Sequence, residues 1–196
     1  DGGGGHPCWR LHAEVAAVLA EHCPDDAAAA VALLLQPVRL APGEALLVRP
    51  GQPHTYLSGT AFEVQANSDN VLRLGLTDKH VDVTAALAAL DCTAGQPPTV
   101  AGCRTGVERV LAAPVSSFAL AVIESAAGAD LPVVPGPQIF CCTDGAFTLD
   151  DGTGMLELRR GEAAFAAARH PRVRVSGHGQ LLRVTTGRSD VSKGHR

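Results

Sequence analysis

The chain has 196 residues, 46% hydrophobic and 18% charged, with 21 Gly and 13 Pro, which suits a folded protein with a buried core and excludes a disordered one. A formal net charge of −4 leaves no basic stripe for nucleic acid, so an anionic ligand must be held by a local cluster of cations. The longest apolar run, 27–35, is far short of the roughly 20 residues that span a bilayer, and the Gly-rich start is not a charged-then-apolar leader. The expectation is no membrane span and a cytoplasmic location.

In chain order, 1–7 is Gly-rich and 9–21 carries Leu11, Val15, Val18 and Leu19 at helical spacing. His22-Cys23-Pro24 ends that helix, and Asp25 or Asp26 is placed to cap a second one running to Leu35, stopped by Gln36-Pro37. From Pro37 the pattern changes to short strands, expected at 38–40, 45–48, 54–57 and 61–66. Between them stand the turns Ala41-Pro42-Gly43-Glu44, Arg49-Pro50-Gly51-Gln52 and Ser58-Gly59-Thr60. A short helix over 83–90 follows, with Asp82 as its cap.

Strand-like runs then stand at 118–125, 137–142, 146–149, 155–158, 163–166, 173–175 and 181–185, separated by Gly and Asp turns. The step Gly43-Glu44-Ala45 recurs as Gly161-Glu162-Ala163, which suggests two copies of a jelly-roll motif. Six cysteines without CxxC spacing read as free thiols, and adjacent Cys141 and Cys142 point to opposite faces of a strand. The only methionine is Met155, and a chain opening on Asp-Gly-Gly-Gly-Gly without an initiator reads as the back portion of something longer.

The chemistry concentrates between Pro53 and Val83. Pro53-His54-Thr55-Tyr56-Leu57-Ser58-Gly59, Glu63, Asn67-Ser68-Asp69-Asn70-Val71-Leu72-Arg73 and Gly75-Leu76-Thr77-Asp78-Lys79 supply an imidazole, carboxylates and two cations amid turn residues. Strands folded back on each other would gather them into one pocket, an arrangement that suits small anionic polyols. Each has a plain alternative. His54 is a satisfied turn histidine or a ligand; Arg73 is a strand-end cation or an active-site group. Lys79 and Asp69 are solvated or paired, and Glu63, alternating with Phe62 and Val64, is an exposed strand residue or a proton carrier. His6, Cys8 and His12 are soft ligands without a second half to complete a site, and His170 and His178 read as surface residues.

Those motifs, together with Leu40-Ala41-Pro42-Gly43-Glu44-Ala45 and in this order, closely resemble the type I mannose-6-phosphate isomerases. The resemblance implies a mainly β fold of cupin (jelly-roll) barrels: the end of a helical segment over 1–36, the closing part of a catalytic cupin over 37–91, a C-terminal cupin over 100–187 and a disordered tail over 188–196. It implies zinc-dependent interconversion of mannose 6-phosphate and fructose 6-phosphate. His54 matches one zinc ligand, the others being absent from this chain. Arg73 matches the catalytic arginine, and Glu63, Lys79, Asp69 and Tyr56 match residues lining the substrate pocket, Glu63 being placed to carry the proton or to orient the group that does. The chain then reads as a C-terminal half, inactive alone, whose partners are a hexose 6-phosphate and a missing N-terminal half. A non-catalytic sugar-binding or structural cupin is the alternative, and a cupin oxygenase lacks its two-histidine-one-carboxylate set. Two positions depart from the family: Leu74 stands where a small residue is usual, and Asp78 replaces a common proline beside Lys79.

Overall fold

A computed structural model describes residues 8–111 and 113–187. The Gly-rich start and the tail expected beyond 187 lie outside the described residues. The chain forms two compact units: Asp1–Phe62 with Asn67–Thr99, and Glu63–Ala66 with Val100–Arg196.

The first unit opens with α1 (Cys8–His22), whose Val15 and Leu19 are buried one turn apart. They pack on Ala32 of the short α2 (Ala28–Ala32), and Ala29, Leu57 and Leu76 complete this small cluster. Helix α1 closes on the Cys23 N–H bond to the Leu19 carbonyl (2.8 Å), just before Pro24. The second helix is shorter than the sequence suggests: beyond Ala32 the chain tightens into three-residue turns, with Leu34 N–H on the Val31 carbonyl at 2.9 Å. Helix α3 (Val83–Ala89) begins as expected, Asp82 accepting the Ala85 N–H at 2.9 Å.

The strands expected at 38–40, 45–48, 54–57 and 61–66 carry no ladder; among the described residues only Leu46 makes a bridge, to Thr99. A strand needs a neighbour to satisfy its backbone groups, and here the only pairing among the described residues is this short one, where Leu47 N–H also bonds the Pro98 carbonyl at 3.0 Å. The turns between them do form. Glu44 N–H bonds the Ala41 carbonyl (3.0 Å) while the Glu44 carboxylate accepts the Ala41 N–H (2.8 Å). Gln52 does the same to Arg49, at 3.1 and 3.2 Å. Gly43 (φ 84) and Gly51 (φ 80) take the left-handed third position that a side chain would resist.

The second unit is an antiparallel sheet of β1 (Gly102–Thr105), β2 (Glu108–Leu111), β3 (Ala119–Asp130), β4 (Gln138–Asp150), β5 (Met155–Arg159), β6 (Ala163–Ala166) and β7 (Arg174–Thr185). Strand order is β1-β2-β3-β7-β4-β5, with β6 also on β4. β4 carries β6 along 138–141 and β5 along 146–150, dividing at a bulge between Cys142 and Asp144. That bulge merges two expected strands into one: Asp144-Gly145 reads as a turn, yet Gly145 lies so close to the His178 carbonyl that a side chain would not fit. The Gly177 and Gly179 pair merges 173–175 with 181–185 in the same way. Strands β1 and β2, rich in Arg and Glu, have no counterpart among the expected runs.

The core holds Ile123, Phe140, Cys142, Phe147, Val175 and Leu181, alternate residues of β3, β4 and β7. Cys141 and Cys142 face opposite sides, half-buried and buried. The turn Arg159–Glu162 repeats the device of the first unit, with Glu162 N–H on the Arg159 carbonyl (2.9 Å) and its carboxylate on the Arg159 N–H (2.8 Å). The repeated Gly-Glu step therefore has a local cause in turn chemistry. His170 is not a free surface residue: it is half-buried, its Nδ1 2.9 Å from Asp151 Oδ2, with Arg169 Nε donating to its Nε2 at 3.0 Å.

Candidate functional site

In the first unit the segment after Pro53 alternates. Leu57 turns into the helical cluster, while His54 and Tyr56 are exposed, their ring centroids 6.1 Å apart and edge-on at 81°. His54 Nδ1 lies 3.2 Å from the Gln52 carbonyl oxygen. A carbonyl only accepts, so Nδ1 is the donor in this contact and Nε2 is the ring nitrogen left for a metal.

Arg73 is half-buried, and no hydrogen bond or ion pair engages its guanidinium among the described residues. Lys79 is exposed, its backbone N–H donating to Thr77 Oγ1 at 3.2 Å. Asp69 is exposed in a turn where Ser68 Oγ donates to Asn70 Oδ1 at 2.6 Å. Glu63 is exposed and belongs to the segment 63–66 that groups with the second unit. Of the six residues singled out, only His54 and Tyr56 are in recorded contact.

The described residues do not by themselves fit a zinc ion: no three His, Cys, Asp or Glu side chains converge among them. A depression of the first unit, about 640 Å³, is bordered by His22, Cys23, Asp25, Asp26, Leu76 and Asp78. Three carboxylates make it unsuited to an anion, and neither His54, Arg73 nor Lys79 lines it.

One organising residue escapes sequence reasoning in full. Asp26 is expected only as a helix cap. Its Oδ1 accepts the Ala28 N–H (2.8 Å), while its Oδ2 reaches Leu76 across 50 positions to accept that N–H at 2.6 Å. No local pattern signals the second bond. No described helix is long and apolar enough to cross a membrane.

No model of a protein family matches the chain. Mannose-6-phosphate isomerase of Escherichia coli is 37% identical over 169 residues, 85% of this chain and 43% of that protein. Mannose-6-phosphate isomerase 2 of Arabidopsis thaliana is 34% identical over 163 residues, 81% of this chain and 34% of that protein. Among solved structures, a mutant phosphomannose isomerase from Salmonella typhimurium superposes with a TM-score of 0.78 at 36% identity, covering 94% of this chain and 46% of that one. The Salmonella enzyme bound to fructose 6-phosphate and zinc gives 0.76 at 34% identity, covering 94% and 51%. The chain thus spans less than half the length of the curated relatives it matches. Mainly antiparallel β, with few helices, it has the cupin class of fold expected of it. Over the residues it contains, this chain is a homologue of the C-terminal part of the mannose-6-phosphate isomerases.

Proposed function

We propose that this chain carries the substrate-facing C-terminal portion of an isomerase that interconverts mannose 6-phosphate and fructose 6-phosphate. Arg73 carries the reading: a half-buried guanidinium with no counter-ion among the described residues, within the Asn67–Lys79 run that matches the family. A partly desolvated cation without a protein carboxylate suits an anion formed in the reaction. In isomerisation a base removes the proton from C2 of the aldose, and the electron pair forms the C1–C2 double bond of an enediol(ate) with charge on oxygen. Reprotonation at C1, with transfer of the O2 proton to O1, gives the ketose. Arg73 is assigned to the charged oxygen, and Glu63 to carrying the proton. Lys79 is assigned to the phosphate, and Asp69 and Tyr56 to the sugar.

His54 is assigned as one ligand of a zinc ion whose other ligands the described residues do not supply. The partners are a hexose 6-phosphate and a protein segment equivalent to the part of the relatives that this chain does not match. Five free thiols among the described residues are consistent with the reducing cytoplasm.

A non-catalytic sugar-binding cupin is the second reading, favoured by the lack of a three-ligand cluster among the described residues. A coupled assay of mannose 6-phosphate turnover separates the two. The 196-residue chain alone is expected to be inactive. Fused to the portion of the Escherichia coli relative that it does not match, it is expected to turn over in an EDTA-sensitive manner. A fusion that binds fructose 6-phosphate without turnover supports the second reading, and robust turnover by the chain alone overturns the assignment of an incomplete site.

A further inference from the structure

The backbone leading to Lys79 is held in an unusual shape. Leu76 is the one non-glycine among the described residues with positive φ, +54, a conformation that costs a side-chain-bearing residue energy and persists only where its surroundings impose it. Two contacts impose it here. The Leu76 side chain packs against the Val15, Leu19 and Ala32 cluster, and its N–H donates to Asp26 Oδ2 at 2.6 Å. The other Asp26 oxygen receives the Ala28 N–H at 2.8 Å, so one half-buried carboxylate ties the start of α2 to this loop. Gly75 passes so near that a Cβ there would strike the Ala28 side chain. Downstream, Thr77 Oγ1 accepts the Lys79 N–H at 3.2 Å, which turns the chain and leaves the lysine side chain exposed.

We propose that Asp26 is a positioning residue: by clamping Leu76 it fixes the 75–79 loop so that Lys79 meets the phosphate of a hexose 6-phosphate. This rests on the assignment of Lys79 to the phosphate. The role calls for two acceptor oxygens. Asparagine keeps one and turns an amide N–H toward the other donor; glutamate keeps both on a stem one methylene longer. Asp26 touches no substrate and acts only through the loop.

The test is titration of fructose 6-phosphate into this chain fused to the portion of the Escherichia coli relative that it does not match, followed at the Leu76 and Lys79 amides by NMR, alongside thermal unfolding of each variant. Asp26→Asn is expected to raise Kd about tenfold, the scale of one lost bond to a charged group, and to speed exchange of the Leu76 amide. Ala86→Gly, in the buried face of α3, is expected to lower the unfolding midpoint and leave Kd unchanged. Asp26→Glu is expected to recover part of the affinity, and it takes over the test if Asp26→Asn does not fold. Parent binding with an unchanged Kd in Asp26→Asn, or a loss matched by Ala86→Gly, overturns the positioning role alone. Failure of the parent to bind overturns the phosphate assignment and this inference with it.

Discussion

Arg183 and Glu108 form an ion pair of 2.8 Å with side chains only 2% and 4% exposed. The arginine has its other donors satisfied as well: Nε gives to Gln138 Oε1 at 2.9 Å and Nη2 to the Pro132 carbonyl at 2.7 Å, with the Phe140 ring 6.0 Å away. One buried cation thus joins β2, β4, β7 and the segment after β3. Removing one partner strands a charge out of water. Glu108→Ala is expected to lower the unfolding free energy by about 3–5 kcal/mol in a urea titration. Replacing both by leucine should restore much of it, since an apolar pair carries no desolvation penalty. A double variant no more stable than the single one would refute this account.

Cysteine labelling should sort by burial. Burial pushes the Cys142 thiol above its ordinary pKa, against the smaller lowering effect of a backbone hydrogen bond from Asp144. It therefore stays protonated and unreactive near neutral pH. Alkylation of the native chain mapped by mass spectrometry should mark Cys92 and Cys103, both exposed, well before Cys142. Early modification of Cys142 would mean that the sheet opens locally.

The β4–β5 turn should be sensitive to acid. The Asp151 carboxyl is held below its ordinary 3.8 by the Thr153 hydroxyl, by the Thr153 and Gly154 N–H groups and by His170. Because the folded value is the lower one, its stabilisation is complete above the unfolded pKa and fades as pH falls through the folded value. A carboxyl NMR titration should place Asp151 below ordinary aspartate, and Thr153→Ala should move it upward. No movement would contradict the hydroxyl as the main cause.

For catalysis, Arg73→Ala in the fused enzyme described above should lower kcat by about 10²–10³, as loss of an oxyanion partner does, with a smaller change in KM. Lys79→Ala should act chiefly on KM. The reverse pattern would exchange the two assignments.

Much of this was legible where local chemistry decides. The Asp82 cap, the Pro-Gly turns and strands β5 and β6 follow from residues near in sequence. Strands β4 and β7 were legible only in pieces, because glycine marks a turn and a bulge alike and the partner strand chooses between them. Nothing near Glu108 in sequence marks it as buried; its partner Arg183 lies 75 positions later and meets it only in the fold. At the candidate site, the alternation of His54 and Tyr56 is visible in the sequence, whereas the bond from Asp26 to Leu76 is a tertiary event with no motif.

The strand made last in the described sequence, β7, occupies the middle of its sheet, hydrogen-bonded to β3 on one side and β4 on the other. A ribosome adding about 5–20 residues per second must therefore finish Arg174–Thr185 before β3 and β4 are joined into one sheet, and until then the edge each presents to β7 stands open to other nascent chains. A stop codon before Arg174 would remove the keystone rather than trim a margin, and aggregation in place of a shortened fold is the outcome to look for.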